Sequence, residues 1–323
     1  MISAAIVGLG RWGRTLVNSV QDKSDRLRFT HAVSRDPARV GEFANQHGLK
    51  ILGSLDAALA EPGIDAVVLA TPHSQHADQI VAVAAAGKAV FCEKPLTLTR
   101  AEAERAVAAC EKAGIVLGVG HDKRFFPAMT ELARIVVSGD LGRILHIEGN
   151  FSNEVAATQF TPWRDSAEES PAGGLTGTGI HVLDGFVRMA GPVRRIRARL
   201  IAHKPAPDPH DTLSVLLEFE AGISGMLAAV RSTPMFWRVH VFGRDGSAEA
   251  LGRTELVLRK SGKEPQHLSF QPVDSVRANL EAFADAAAGR VPYPISTREM
   301  VDVVAAFEAI VKSTGSDGRV QDV

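Results

Sequence analysis

Three groups of residues in this chain have types and spacings suited to chemistry. The first is Gly8-Leu9-Gly10-Arg11-Trp12-Gly13, directly after an apolar run at 2–7. In such a Gly-x-Gly-x-x-Gly turn the first glycine permits a tight strand exit and the second lets a pyrophosphate approach the backbone. The third lets the next helix pack close, with its free N–H groups facing the phosphate. Gly8, Gly10 and Gly13, with Arg11 and Trp12 between them, therefore predict dinucleotide binding. The second group is Glu93-Lys94-Pro95, after the apolar run 89–92. A lysine crowded beside a cofactor can be shifted into the working range of a general acid–base, and Pro95 restricts the backbone that carries it. The third group is a glycine-rich stretch at 173–179 that carries Thr178 and leads into His181 and Asp184. His181 and Asp184 are three apart and so share one helix face, where Asp184 can orient an imidazole or a substrate hydroxyl. Together the three groups predict hydride transfer between a nicotinamide cofactor and a small molecule.

The end of the second apolar run bears on which cofactor. An NAD site usually places Asp or Glu about 20 residues beyond the glycines, on the ribose 2′-OH. Here the run ends His31-Ala32-Val33-Ser34-Arg35-Asp36, so Ser34 takes the acidic place and Arg35 follows. A hydroxyl and a guanidinium suit a 2′-phosphate. NADP is the expected cofactor and NAD the second choice. Thr71 and Pro72, after the run 66–69, are expected to line the same site. His73 is left unassigned, and the two histidines at 73 and 76 read as turn residues. Trp163 and Arg164 offer an aromatic wall and a cation to the cofactor, or only packing.

These residues need elements to hold them. Short continuous apolar runs at 2–7, 27–33, 66–69, 89–92 and 116–119 read as buried strands. Asp36-Pro37 starts a helix, and Thr99 with Glu102 makes a capping box for another. Strand–helix alternation predicts right-handed crossovers and a doubly wound parallel sheet. After residue 120 a helix at 128–138 precedes runs at 144–151, 193–201, 212–219, 223–230, 239–242 and 256–258, joined by turns, which predict an antiparallel sheet. Helices are expected at 275–287 and 297–313. The division expected is a dinucleotide-binding domain at 1–121 and a substrate and oligomerisation domain at 122–323.

Composition agrees with that frame. A chain of 323 residues is long for one core. With 45% apolar and 23% charged residues it has the composition of a globular protein. A net charge of −1 gives no electrostatic case for nucleic acid. Two cysteines, Cys92 and Cys110, make no disulfide framework or metal spacing, so no metal is expected. No apolar run is long enough for a membrane span, and a cytoplasmic location is expected.

The motifs in order resemble the glucose–fructose oxidoreductase and inositol dehydrogenase family over nearly the whole chain. They are the glycine turn at 8–13, Ala-Thr-Pro at 70–72, Cys-Glu-Lys-Pro-Leu at 92–96 and Val-Gly-His-Asp-Lys-Arg-Phe-Phe-Pro at 119–127. Pro-Trp-Arg at 162–164, the segment 173–184 and Gly-Arg-Asp-Gly-Ser at 243–247 complete the set. The resemblance implies a Rossmann domain joined to an α+β domain with a large, mostly antiparallel open sheet, through which dimers or tetramers form. It implies NAD(P)-dependent oxidation or reduction of a hydroxyl-bearing carbon in sugars, cyclitols and related molecules. Lys94 then exchanges the hydroxyl proton and His181 helps relay it. Lys94, Arg124, Thr178, His181 and Asp184 form the expected substrate-binding set. Glu93 and Lys94 also belong with the cofactor contacts. One departure stands out: many members carry an aspartate four residues before the histidine, where this chain has Gly177. Two other readings stay open, a dehydrogenase of a carboxylated cyclic diol (with Lys123, Arg124, Arg164 and Arg231 as cations) and a non-catalytic NAD(P)-binding sensor.

Overall fold

The computed structural model describes residues 1–153, 166, 168–202 and 212–323. The N-terminal alternation of apolar runs and capped helices forms β1 (Ile2–Val7), α1 (Arg11–Val20), β2 (Leu27–Val33), α2 (Pro37–Gln46), β3 (Lys50–Leu52) and α3 (Leu55–Ala60). It continues with β4 (Ala66–Leu69), α4 (His76–Ala85), β5 (Ala89–Cys92), α5 (Arg100–Ala113) and β6 (Leu117–Val119). All neighbouring strands pair parallel in the order β3-β2-β1-β4-β5-β6. The central strands are buried on both faces, as continuous apolar runs require. The order reverses between β1 and β4, where sheets of this type bind ligands at the strands' carboxyl ends. The capping box at Thr99 and Glu102 forms as expected, and Gly114 closes α5 in a left-handed conformation.

The second compact unit contains α6 (Pro127–Val137), β7 (Ile144–Ser152), α7 (Ile180–Ala190), β8 (Val193–Ile201), β9 (Thr212–Phe219) and β10 (Ser224–Val230). It also holds β11 (Phe236–Gly243), β12 (Gly246–Leu251), β13 (Glu255–Lys260) and β14 (Gln266–Ser269). With the short β15 (Gln321–Asp322) these strands make one nine-stranded sheet, ordered β14-β13-β12-β11-β7-β10-β9-β8-β15. Every pair is antiparallel except β7 with β10. One face carries α7, which comes so near β7 at Gly149 that a Cβ there would meet Val182 Cγ1 at 2.5 Å. On β9 the buried residues alternate strictly with exposed ones, the mark of a sheet covered on one side.

The chain forms two compact units, and one segment from late in the sequence returns to the first. The compact units are Met1–Asp122 with Asp274–Val301, and Lys123–Val273 with Asp302–Val323. The returning segment includes α8 (Ser275–Ala287), whose Leu280, Phe283 and Ala284 are fully buried in the first unit's core. Phe283 meets Phe91 of β5 edge-on, ring centres 5.6 Å apart. Gly118 of β6 makes room for both rings, since a Cβ there would lie 2.8 Å from each. Further on, the Tyr293 hydroxyl accepts from the Val119 N–H (3.2 Å) and donates to Asn279 Oδ1 (2.6 Å), while Asn279 Nδ2 donates to the Val119 carbonyl (2.9 Å). Burial of apolar rings thus joins sequence-distant residues into one core. The last helix, α9 (Thr297–Gly315), follows Ser296, whose hydroxyl accepts from the Glu299 N–H.

Candidate active site

In the first unit the glycine turn follows β1 and opens α1, with Gly10 in the N-cap position and no side chain capping the helix. The three glycines are required for different reasons. Gly8 has a φ of +95°, and a Cβ there would lie 2.5 Å from the Ala70 carbonyl oxygen. A Cβ on Gly13 would run into the Gly8 carbonyl, so this glycine lets α1 close on β1. A Cβ on Gly10 would meet nothing within 4 Å. The turn therefore leaves open space in front of the uncapped N–H groups of α1, and a dinucleotide pyrophosphate fits that cradle. The close approach of Gly8 to Ala70 also brings Thr71 and Pro72, at the end of β4, beside the turn. The Thr71 hydroxyl donates to Gln79 Oε1 at 2.6 Å.

At the end of β2 the Ser34 hydroxyl donates to the Asp36 carbonyl (3.0 Å) and accepts from the Asp36 N–H (3.2 Å). Asp36 in turn caps α2 through the Arg39 N–H. Arg35 is exposed. Ser34 shapes this corner through its backbone contacts, and Arg35 is the cation presented there.

Lys94 is half-buried at the end of β5, and the Lys94–Pro95 peptide is cis. Glu93 beside it is buried, its Oε2 accepting from the Lys94 N–H at 3.3 Å. Gly120 permits this, because a Cβ there would fall 2.5 Å from Glu93 Oε2. Burial pushes the Glu93 carboxyl up to about 7, with Asp122 pushing the same way and the Trp12 indole and Lys94 pulling it back. Asp122 is itself buried and accepts from the Ser275 hydroxyl at 3.0 Å. Sequence reasoning placed Glu93 among the cofactor contacts but gave no role to Gly120 and Asp122 beside it, or to Ser275 on Asp122. Gly120 directly after β6 was the one available signal. Burial pushes the Cys92 thiol well above its ordinary value, so it is a poor nucleophile.

In the second unit a π-helical turn, Leu175–Gly179, runs directly into α7. Such turns often accompany functional positions. The Thr178 hydroxyl donates to the Gly174 carbonyl and the Thr176 hydroxyl to the Pro171 carbonyl, both at 2.7 Å. Gly177 is exposed, with nothing within 4 Å of a Cβ built on it. His181 is 5% exposed and packs on Phe151, ring centres 6.0 Å apart. Phe151 rests edge-on against Trp237, and Trp237 against Phe126. Asp184 takes a bidentate grip from Arg124, Nε to Oδ2 and Nη2 to Oδ1, both at 2.8 Å, with the side chains 4% and 1% exposed. Trp163 and Arg164 lie outside the described residues. Among the described residues no group of three or more His, Cys, Asp or Glu is placed to hold a metal ion, and no helix is long and apolar enough to cross a membrane.

Comparison with known proteins adds to this geometry. Residues 2–121 match the model described as "Oxidoreductase family, NAD-binding Rossmann fold", and residues 129–249 match the GFO/IDH/MocA C-terminal domain. The chain is 30% identical over 237 residues to trans-1,2-dihydrobenzene-1,2-diol dehydrogenase of Sus scrofa, covering 72% of this chain and 69% of that protein. It is 29% identical over 301 residues to D-xylose 1-dehydrogenase (NADP(+)) 2 of Haloferax volcanii, covering 89% and 90%. Among solved structures, aldose-aldose oxidoreductase from Caulobacter crescentus superposes with a TM-score of 0.86 at 23% identity, covering 100% of this chain and 99% of that one.

Proposed function

The chain belongs to the GFO/IDH/MocA oxidoreductase family, NAD(P)-dependent dehydrogenases acting on CH–OH groups, and from that premise we propose that it interconverts a secondary alcohol and a ketone on a sugar or small diol, with NADP as carrier. The observation that carries this reading is the half-buried Lys94 at the carboxyl end of β5, in a Rossmann sheet whose first turn forms a phosphate cradle. When bound, the nicotinamide supplies the hydride acceptor or donor. Everything else falls to the chain. Oxidation removes a hydride from carbon and a proton from oxygen, and the Lys94 amine takes that proton. His181, which packs on Phe151, is proposed as a proton-relay residue. A positioned acid–base group of this kind is worth about 10²–10⁴-fold in rate. The names of the diol and xylose dehydrogenases support a diol or aldose substrate. The carboxylated-diol alternative draws on Lys123, Arg124, Arg164 and Arg231 as cations, of which Arg124 pairs with Asp184.

The test is a panel containing D-xylose, trans-1,2-dihydrobenzene-1,2-diol and related neutral polyols, run with NADP and with NAD. Lys94→Met is expected to keep cofactor affinity and lose turnover on whichever compound the wild type oxidises. Near-normal turnover in that variant rules out the lysine assignment. For the cofactor, Arg35→Ala is expected to weaken NADPH binding about 10- to 100-fold, the worth of one charge-assisted hydrogen bond, and to leave NADH binding unchanged. Equal losses for both cofactors would reject a 2′-phosphate contact.

A further inference from the structure

His76 is the first residue of α4 and is fully buried. Its ring spans two loops. Nδ1 lies 2.9 Å from the Pro95 carbonyl oxygen, and Nε2 lies 3.1 Å from the Thr71 carbonyl oxygen. A carbonyl oxygen only accepts, so the ring bonds both oxygens at once when both nitrogens carry hydrogen, that is, as an imidazolium. One end therefore grips the residue directly after Lys94, at the end of β5. The other grips the loop after β4 that carries Thr71 and Pro72. Gln79, one turn further along α4, accepts from the Thr71 hydroxyl at 2.6 Å and holds the same loop from a second point. These bonds tie both loop backbones to the start of α4.

We propose that His76 is a positioning residue, a two-ended imidazolium clamp that fixes the Lys94–Pro95 backbone relative to the cofactor-lining Thr71–Pro72 loop. The inference rests on the reading of Lys94 as the proton-exchanging group. Its consequence is geometric: the lysine backbone and the cofactor loop move as one piece, and a displacement of about 1 Å at such a site costs on the order of 10²-fold in rate. A turn histidine that merely filled space would leave the two ends uncoupled.

The two ends can be cut separately. An asparagine amide reaches about where Nδ1 lies, so His76→Asn keeps the Pro95 end. A glutamine amide reaches about where Nε2 lies, so His76→Gln keeps the Thr71 end. His76→Ala removes both. NADPH affinity is measured by fluorescence, and kcat at saturating cofactor on the polyol selected above. The position of Lys94 is read without any substrate, from the 13C resonance of its reductively methylated amine, identified by its absence in Lys94→Met. His76→Gln is expected to hold NADPH affinity within about twofold, lower kcat roughly 10- to 100-fold and shift the Lys94 resonance. His76→Asn should show the reverse: weaker NADPH binding, with kcat and resonance near wild type. Parallel losses in both variants that track melting temperature, or no change in either, overturn the clamp. Lys94→Met separates the two hypotheses. If it retains turnover, the role of the lysine falls, while the affinity and resonance readings still decide whether His76 couples the loops.

Discussion

Adding one methyl group to each glycine of the β1–α1 turn should give three different outcomes. In Gly13→Ala the new carbon runs into the Gly8 carbonyl, whose two atoms are the nearest and belong to the backbone. That backbone carbonyl cannot swing aside as a side chain can, so α1 must shift from β1, an overpacking cost of about 1–3 kcal/mol. At about 2–4 °C per kcal/mol for domains of this size, the melting temperature falls by roughly 2–12 °C. Gly8→Ala meets the Ala70 carbonyl and must also hold a φ of +95°, a strain of about 1–3 kcal/mol on top of the overlap, so it should be the least stable of the three. Gly10→Ala meets nothing, and its φ of −75° and ψ of −167° suit any residue. Its stability should stay within about 0.5 kcal/mol of wild type. Its methyl group, however, occupies the space that the pyrophosphate needs. Losing one charge-assisted contact there lowers NADPH affinity about 10- to 100-fold. Thermal unfolding of the cofactor-free protein and a fluorescence titration with NADPH read both quantities. The reasoning is refuted if Gly10→Ala melts as early as Gly13→Ala, or if it binds NADPH as the wild type does.

Two further predictions concern buried charge. The Glu93 carboxyl is raised from 4.5 to about 7 in the fold, so between these values the native state binds more protons than the unfolded chain. Stability contributed by this group is full below about pH 4.5 and declines as pH rises to about 7, a loss of about 3 kcal/mol by pH 8. Glu93→Gln removes that dependence, so denaturation at pH 5 and pH 8 should show the variant gaining on the wild type at the higher pH; a constant difference between the two would count against it. Arg124→Met removes the guanidinium that grips the buried Asp184 carboxylate and should cost about 3–5 kcal/mol, most of it recovered in the double variant Arg124→Met with Asp184→Leu. If the double variant is no more stable than the single one by denaturant titration, the pair is not acting as a unit.

What was legible in the sequence follows from range. Elements set by local pattern were readable: β1, β2, β4, β5, β8, β9 and α8 begin and end where the apolar runs and caps put them. β3 escaped because it has three residues, and β12, Gly246–Leu251, because glycine, serine and alanine are weak strand formers. The parallel pairing of β7 with β10 and the return of 274–301 depend on contacts between distant residues, which no local window carries. The same limit applies to the site. The glycine turn and the Glu93-Lys94-Pro95 motif are contiguous, and so were found. His76 was read as a turn residue because its partners, Thr71 and Pro95, lie on different loops. The bidentate contact of Asp184 with Arg124, 60 residues earlier, was not legible for the same reason.

The return of residues 274–301 to the first unit also governs the order in which the protein can be made. When residue 122 has emerged from the ribosome, β5 and β6 exist but Phe283 does not, so the apolar face around Phe91 and Gly118 has no cover. At about 5–20 residues per second, translation of the intervening residues leaves that face open for roughly 8–30 s. During that interval the nascent dinucleotide-binding half is a client for chaperones, and a gene truncated before α8 would yield a chain that aggregates rather than a smaller working domain.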